Sequence, residues 1–503
     1  MNTISPKKLY IIGIVSLTLG ILFDYLFYNR LVGVSFLIYV VLLGVGLFGF
    51  LFFFKIQFNK IALWFLPAIL FFALMVGIRE NEFLLFWNIV LTLGLFLLLA
   101  HNVVGSRIRN YLFFDYIKTA VNLPMSMVGK SLAALGRMIS LGKELKKERK
   151  ISQVTKGILI TLPVLLLFFF LFSSADLVFN KLITNIFKFN FNINPDAIAQ
   201  IILAVIFSGL WLGVYTYILE NASQKDFQFS SIVRRYKFGN IEAGILFTTL
   251  SLLFLAFVVV QIKYLFAGHE AITQLGYTYA EYAHKGFGEL IGVALLTFGL
   301  IFLAERYIER SENKSGGLFK FLTGILIMLV LVIMASAFLR LGIYEQAYGF
   351  TLLRILVQAF IIWLAAIFLW LGYKIIKNVE DRPFIFGIFL SVVTFFVLFN
   401  LLNPDAFVTS KNIDQFTKSG TLDIEYLSSL SADAVPLLIP LLDRPEVKDE
   451  DGRQLSKEVA AALKNYHESA SNQSWQSYNI SRQRALRLID NKWETISVLM
   501  TQN

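Results

Sequence analysis

Long apolar runs alternate with short polar segments over the first 402 residues of the chain. A helix needs about 20 apolar residues to cross the hydrocarbon core of a bilayer. Eleven runs come close enough to that length to predict crossings. They cover residues 9–29, 31–54, 61–78, 83–104, 157–179, 196–219, 241–265, 288–308, 320–340, 351–373 and 384–402. The pattern predicts an all-α fold, a polytopic transmembrane helix bundle of about 11 spans.

The segment 105–156 differs from these runs, because its apolar residues recur at helical spacing among basic ones. The apolar positions are Val128, Leu132, Leu135 and Ile139, and the basic ones include Lys130, Arg137 and the cluster at 143–150. This pattern is typical of a basic amphipathic helix lying on the anionic inner leaflet. Two alternatives stay open: a helix packed beneath the bundle, and a docking site for an acidic cytoplasmic partner.

Residues 403–503 form a polar tail with two amphipathic helical patterns, at 455–470 and 474–500. A tail of about 100 residues is long enough for a modest core. We therefore expect a small α-helical C-terminal domain. The predicted divisions are four N-terminal spans in 1–104, the basic amphipathic loop 105–156, seven spans in 157–402 and the soluble tail 403–503.

Composition supports the membrane class and limits the chemistry. Hydrophobic residues make up 57% of the chain and charged residues 16%, against about 25% charged residues in soluble domains. The chain has no cysteine, which excludes disulfides and thiolate chemistry. Its four histidines are scattered, at positions 101, 269, 284 and 467. We expect no metal site, no cofactor and no catalytic residues.

The net charge of +11 is explained by membrane topology better than by nucleic-acid binding. Of the 45 Lys and Arg residues, 34 precede residue 403. With the N-terminus placed inside, 26 of these 34 fall on the inner side and 8 in outer loops. Short cytoplasmic loops are enriched in Lys and Arg. We predict a multi-pass protein of the cell (plasma or inner) membrane, with a cytoplasmic N-terminus and an extracytoplasmic tail. The predicted partner is the lipid bilayer, and no nucleic acid is expected.

The tetrapeptide Asn-Pro-Asp-Ala occurs twice, at 194–197 and 403–406. Asn is a favoured N-cap, Pro suits the first helical position, and an acid in the first turn suits the helix dipole. Both copies are therefore predicted to begin helices. Aquaporin-like pores place Asn-Pro-Ala inside the membrane, at the tips of half-helices. Neither copy lies inside a broken apolar segment, and the residues that follow the two copies share no pattern, so neither a channel nor an internal repeat is favoured.

Two stretches on the predicted outer side carry ionisable residues at or near membrane depth. Such residues are costly there and usually face a cavity or a partner. In the first stretch, Glu281, Lys285 and Glu289 recur every four residues along one helix face. An ordinary surface ladder is the alternative interpretation of this spacing.

In the second stretch, Arg340 and Arg354 flank a predicted short turn. The turn holds Tyr344, Glu345 and Tyr348, and Gly342 and Gly349 permit it. Glu289 and Glu345 are candidate partners for Arg354. As a hypothesis, both stretches line one polar cavity below the tail. The alternative is a set of ion pairs that hold the helices together.

Several stretches of the chain carry a resemblance to a known family. In the tail they are Asn403-Pro404-Asp405, Asn412-Ile413, Leu422-Asp423, Tyr426-Leu427, the run from Ser431 to Pro436, Trp475, Tyr478-Asn479 and Ser481-Arg482. Upstream they are residues 276–290 and 340–360. Together these resemble the bacterial polytopic membrane proteins of domain of unknown function 4173, which is related to 4153. The resemblance runs from about 155 to 490, so the first four helices are expected to be a variable addition. It implies a multi-helix membrane protein with no settled activity.

No phosphate-binding loop of the form GxxxxGK[ST] and no HExxH zinc motif occurs in the sequence. Catalysis is therefore not indicated. We interpret the chain as a non-enzymatic membrane scaffold or sensor that links the inner basic loop to the outer helical tail. The alternative is a secondary transporter or channel. Its polar site would consist of Glu281, Glu289, Arg340, Glu345 and Arg354.

Overall fold

The computed structural model describes residues 5–105, 108–144, 195–221, 240–266, 287–307, 315–419, 422–444 and 454–501. These residues form seventeen α-helices and no β-strand. The helices are α1 (Pro6–Phe27), α2 (Val34–Phe53), α3 (Leu66–Ile78), α4 (Glu82–Val103), α5 (Phe113–Glu144), α6 (Pro195–Asn221), α7 (Asn240–Phe266), α8 (Phe287–Tyr307), α9 (Ser315–Tyr348), α10 (Leu352–Lys377), α11 (Asp381–Leu402), α12 (Pro404–Ser419), α13 (Ile424–Ser428), α14 (Val435–Leu438), α15 (Leu455–Ala470), α16 (Ile480–Asn491) and α17 (Trp493–Thr501). The predicted all-α fold class is confirmed.

Within the described residues, ten helical segments are long and apolar enough to cross a membrane. They are Pro6–Phe27, Val34–Phe53, Lys60–Ile78, Glu82–Val103, Asp196–Asn221, Ile241–Gln261, Gly288–Glu305, Gly317–Tyr348, Leu352–Lys377 and Asp381–Leu402. Each coincides with a predicted run. The eleventh predicted run, 157–179, lies outside the described residues. The protein is a multi-pass integral membrane protein built as a polytopic helix bundle.

Helix α9 is longer than its apolar run. The predicted short turn between Arg340 and Arg354 is wrong over most of its length, because α9 stays helical to Tyr348. Backbone hydrogen bonding does not require apolar side chains, so a helix can continue beyond the end of a hydrophobic run. The chain turns only at 349–351, where Gly349 has a φ of +76°. Glycine adopts this left-handed conformation without steric cost.

Two apolar cores lie within the bundle. The first is built from α1–α6 and the second from α7–α10. Helix α11 contributes Val393 and Phe396 to the first core and Phe384 and Ile385 to the second. It therefore joins the two halves of the bundle.

Close helix packing in the first core depends on small residues. A Cβ atom added at Gly20 of α1 would lie 2.0 Å from the Ser208 Oγ and 2.3 Å from the Ala204 carbonyl oxygen of α6. Small residues at such contacts let two membrane helices approach closely. The indole nitrogen of Trp211 also donates to the Tyr39 hydroxyl at 2.7 Å. Helices α1, α2 and α6 are thus held by packing together with a buried polar contact.

The outward surface of the bundle is apolar. Large side chains such as Ile14 (66% exposed), Leu296 (76%) and Leu398 (61%) point away from both cores. A soluble monomer seldom exposes apolar patches of this extent. These side chains therefore face the acyl chains of the bilayer.

The two ends of the bundle differ. We name one end the tail face: the turns at 28–33, 79–81 and 349–351 lie there, in contact with the tail. The opposite end, which we name the basic face, includes the turns at 54–59 and 378–380. Basic residues at this end include Lys55, Lys60, Lys374, Lys377 and Arg382.

The tail, α12–α17, has an apolar core of its own. Leu427, Leu441, Leu463 and Ile489 are almost fully buried in it. A separate small cluster joins the tail to the bundle and contains Leu84, Ile355, Phe399 and Val408. The tail is therefore seated on the ends of α4, α10 and α11.

Candidate functional site

A polar turn between α3 and α4 is the centre of the candidate site. Residues 79–82 read Arg-Glu-Asn-Glu between two apolar helices. The Asn81 side chain accepts a hydrogen bond from the Leu84 backbone N–H at 3.0 Å and so caps α4. This cap ends the turn and leaves Arg79 and Glu80 directed toward the tail.

Arg79 forms an ion pair with Asp433 of the tail, with 2.9 Å between Nη1 and Oδ1. Asp433 is 6% exposed and also accepts from the Glu80 backbone N–H at 3.2 Å and from the Ser481 hydroxyl at 2.7 Å. The Arg79 Nε donates to the Asn400 carbonyl at 3.1 Å. A buried charge is tolerated when it is paired and hydrogen-bonded in this way. This pair thus joins α3, α11 and the tail.

Glu80 makes the second ion pair, with Arg482 of α16, at 2.5 Å between Oε1 and Nε. Its other carboxylate oxygen accepts from the Tyr466 hydroxyl at 2.7 Å and from the Ala432 backbone N–H at 3.1 Å. Burial raises the pKa of Tyr466 above its ordinary value, and the adjacent Glu80 charge adds to this effect. The phenol therefore stays protonated and donates to Glu80.

The second Asn-Pro-Asp-Ala sequence completes the junction. Asn403 ends α11 in a left-handed conformation, with φ of 53°, and Pro404 begins α12. Asn is one of the residues that adopt this conformation most readily. Asp405 is 1% exposed and accepts from the Asn81 amide at 2.8 Å and the Ser431 N–H at 3.1 Å. The prediction that this sequence begins a helix is confirmed, and Asp405 also ties α12 to the α3–α4 turn.

A cavity of about 550 Å³ lies between this turn and the tail. Its bundle side includes residues 79–82, Phe83 and Leu352, and its tail side includes Ser431, Tyr466 and Arg482. Glu80 and Asp405 on its wall already accept protein hydrogen bonds. These two carboxylates therefore contribute to the contacts that hold the junction together.

Buried polar residues continue along α4 away from this junction. Asn88 and Asn400 exchange two side-chain hydrogen bonds, of 2.9 and 2.8 Å, and both are fully buried. At the basic end of α4, His101 is 2% exposed. Its Nδ1 lies 2.7 Å from the Tyr217 hydroxyl and its Nε2 lies 2.6 Å from the Tyr111 hydroxyl. Helix α4 thus makes polar contacts from the tail face to the basic face.

The residues predicted from the sequence lie elsewhere. Glu281 and Lys285 fall outside the described residues. Glu289 is exposed in the first turn of α8. Arg340 and Glu345 are both buried in α9. None of the described members of this set is on the wall of the junction cavity.

Two of the predicted residues do meet, at the turn between α9 and α10. The Arg354 guanidinium lies over the Tyr344 ring, 4.2 Å from its centroid, and donates to the Tyr348 and Gly349 carbonyls. Arg354 does not form an ion pair with Glu345, whose carboxylate instead accepts from Gln358 at 2.6 Å. The guanidinium therefore stabilises the end of α9.

The tail covers this second turn as well. The Asn412 side chain of α12 accepts from the Phe350 N–H and donates to its carbonyl oxygen, each at 2.8 Å. The Tyr426 hydroxyl accepts from the Leu352 N–H at 2.7 Å. Asn412 and Tyr426 thus fix the tail to the bundle at this turn.

The basic face has its own buried ion pairs. Lys374 is fully buried and contacts the Glu305 carboxylate, with Asp381 at 2.9 Å. Glu220 of α6 pairs with Lys130 of α5 and, at 2.5 Å, with Arg137. Within the described part of the chain, no three His, Asp or Glu residues are placed to hold a metal ion.

Reasoning from the sequence missed Glu80 and Arg482. The available sign was the run of four polar residues, 79–82, between two apolar helices. It did not identify a partner, because Glu80 and Arg482 are 402 residues apart in the chain.

Comparison with known proteins places the chain in a family. No curated protein and no solved structure matches it. Residues 65–441 match DUF4153, described as a domain of unknown function. Since the match begins at residue 65, the expectation that the first four helices are an addition is wrong for α3 and α4. The matched region covers most of the junction described above, and the chain belongs to the DUF4153 family.

Proposed function

We propose that the protein is a membrane sensor, or a scaffold, in which α4 couples the tail to the basic segment around α5. The polar contacts of α4 carry this proposal. Its first turn joins the tail through Asn81 and Asp405. Its last turn joins Tyr111, just before α5, and Tyr217 of α6 through His101. Buried polar contacts are geometrically demanding, so displacement of one end of α4 is expected to disturb the other.

The junction cavity is the proposed position for a ligand. An occupant there would contact α4 and the tail at once. It would therefore favour one arrangement of the two, and a ligand shifts an equilibrium only through such differential contacts. The charged side chains on the wall, Glu80 and Arg482 among them, favour a small polar molecule.

The proposed orientation follows the distribution of basic residues. Lys and Arg are enriched in cytoplasmic loops, which favours a cytoplasmic basic face and an extracytoplasmic tail in the cell membrane. The junction cavity would then meet extracytoplasmic molecules. A closer relation to domain of unknown function 4173 is also proposed, on the tail residues quoted above.

Hydrogen exchange of the protein in nanodiscs tests the coupling. Asp433→Asn weakens the pair with Arg79 and is expected to increase exchange both at the junction and near Tyr111. Asp443→Asn is the matched control, because its pair with Lys492 is exposed on the same tail. In protein that also carries Tyr111→Phe, Asp433→Asn is expected to cause a smaller increase in hydrogen exchange near residue 111. A loosened junction with unchanged exchange near Tyr111 contradicts the proposal.

Glu345 favours a second candidate function, transport. It is 2% exposed, and its Oε1 has no hydrogen-bond partner among the described residues. Carboxylates at membrane depth often mark ion or proton pathways. Proteoliposomes under a cation or proton gradient separate the candidates. Flux that is lost in Glu345→Gln supports transport, and absence of flux in the wild type favours the sensor.

A further inference from the structure

Helix α5 presents an apolar stripe that no other described element covers. The helix has 32 residues but is not among the ten crossing segments. Seven large side chains on it are exposed: Phe113 (42%), Phe114 (37%), Ile117 (48%), Val121 (59%), Met125 (69%), Val128 (42%) and Leu132 (54%). At 100° per residue they occupy a sector about 120° wide. The stripe is thus a continuous face rather than scattered exposure.

The remaining surface of α5 divides into two further sectors. One is buried against the bundle and contains Thr119, Leu123, Met127, Ser131 and Ala134. The other is exposed and small or polar, and contains Lys118, Asn122, Gly129 and Ala133. Three sectors of this kind match a helix that faces protein, acyl chains and water at once.

Contacts with α6 fix the rotation of α5. The Met127 carbonyl lies against Gly213, where an added Cβ would be 2.1 Å from the carbonyl oxygen. Lys130 and Arg137 both pair with Glu220 near the end of α6. These contacts hold one sector on the bundle, so the apolar stripe cannot turn inward to bury itself.

The position of α5 identifies what the stripe meets. Its N-terminal end follows the end of α4 at the basic face, it packs on α6, and its Lys130 and Arg137 pair with Glu220, next to the end of α6 at that face. The bilayer surrounds that bundle, and apolar side chains are excluded from water. Arg109, in the turn before α5, and Lys118, next to the stripe on the helix surface, are exposed, and anionic headgroups attract such basic side chains.

We propose that α5 lies in the headgroup–acyl boundary of an anionic leaflet. The stripe enters the acyl chains, and Lys118 and Arg109 lie among the phosphates. The partner is an anionic phospholipid surface. This interaction does not depend on the sensor function, because it follows from the surface of α5 alone.

The absence of cysteine makes a direct test possible, since a single introduced cysteine is labelled uniquely. Val121→Cys and Asn122→Cys are matched neighbours, both exposed, in the apolar and water-facing sectors respectively. Each is spin-labelled in full-length protein in nanodiscs. The label at 121 is expected to be more accessible to oxygen than to a water-soluble nickel chelate, and the label at 122 the reverse. Equal chelate access at both positions overturns the proposal. Strong label–label coupling at 121 also overturns it, and indicates a second copy.

The anionic part of the proposal is tested by lipid composition. Adding phosphatidylglycerol to phosphatidylcholine nanodiscs is expected to move the spin label at 121 deeper into the bilayer. Lys118→Gln is expected to remove about half of that increase, since Arg109 remains. Lys464→Gln, at a partly exposed lysine of the tail, is the matched control and leaves the increase unchanged. If the depth of the label at 121 does not change with phosphatidylglycerol, the proposed preference of α5 for anionic lipid is overturned.

Discussion

Single carboxylates hold the tail because each accepts several donors from different parts of the chain. Asp433 accepts from Arg79, from the Glu80 backbone and from Ser481. Glu80 accepts from Arg482, from Tyr466 and from the Ala432 backbone. Both oxygens of each carboxylate therefore accept at least one hydrogen bond. Its removal leaves several donors without an acceptor, which costs more than one hydrogen bond.

Asp433→Asn is therefore expected to destabilise docking of the tail by about 3 kcal/mol, the lower end for breaking a buried ion pair. Native-state proteolysis of the tail in detergent measures this free energy. Asp443→Asn breaks a pair whose side chains are 36% and 57% exposed, and is expected to cost less than about 1 kcal/mol. Equal costs for the two variants would show that the Arg79–Asp433 pair does not hold the tail.

Tyr466→Phe tests the hydrogen bond to Glu80 and its pH dependence. At neutral pH the variant is expected to lose about 1.5–3 kcal/mol of docking free energy, because a bond to a charged acceptor is removed. The folded-state pKa of Tyr466 is raised, so its contribution is full below the unfolded value of about 10 and falls as pH rises through the folded value. The difference between wild type and variant should shrink above about pH 10. A difference that is constant with pH contradicts the assignment.

At the scale of elements, the ends of helices determine how the tail fits. The turn between α1 and α2 approaches the tail so closely that the Val34 N–H donates to the Tyr478 carbonyl at 2.8 Å. Gly33 allows this contact, since an added Cβ would lie 2.4 Å from the same carbonyl oxygen. The family match ends at residue 441, so this contact links regions on either side of the matched domain.

Gly33→Ala is expected to displace the 477–478 segment and weaken docking by about 1–3 kcal/mol, the usual cost of overpacking. Gly44→Ala in α2 is the matched control, because an added Cβ there meets no atom within 4 Å. It is expected to be neutral or stabilising by up to about 1 kcal/mol. Both are measured by the proteolysis assay. If Gly33→Ala does not weaken docking of the tail, the turn accommodates the added methyl group without a loss of docking free energy.

Features that depend on neighbouring residues in the chain can be predicted from the sequence, whereas contacts between residues distant in the chain cannot. Apolar runs are local, so the run at 83–104 predicts α4 (Glu82–Val103) closely. The run at 320–340 underestimates α9, because Glu345 and Gln346 interrupt the apolar pattern in its last helical turns. The pairing of 79–82 with the tail is not local, and hydrophobic periodicity contains no information about it. The sequence thus predicts the bundle but places the polar candidates at 340–354 instead of at the junction.

At the scale of the whole molecule, contacts between residues assign the turns of the bundle to its two ends, independently of the distribution of Lys and Arg. The Tyr28 hydroxyl lies 2.9 Å from Asp196, so the α1–α2 turn and the start of α6 share the tail face. The turns at 79–81 and 349–351 share it too, through Asp433 and Asn412. The side of the membrane on which any one of these segments lies therefore determines the side of all the others.

Reporter fusions that are active on only one side of the membrane test the orientation. Fusions after residue 410 are expected to report the extracytoplasmic side, and fusions within 140–150 the cytoplasm, since basic segments stay inside. A fusion in the 54–59 turn is a control that is expected to report the cytoplasm as well, because α2 ends at the basic face. An inner tail with an outer 140–150 segment would reverse the orientation and move the junction cavity to the cytoplasm. The proposed ligand would then be an intracellular molecule, although the coupling through α4 would be unchanged.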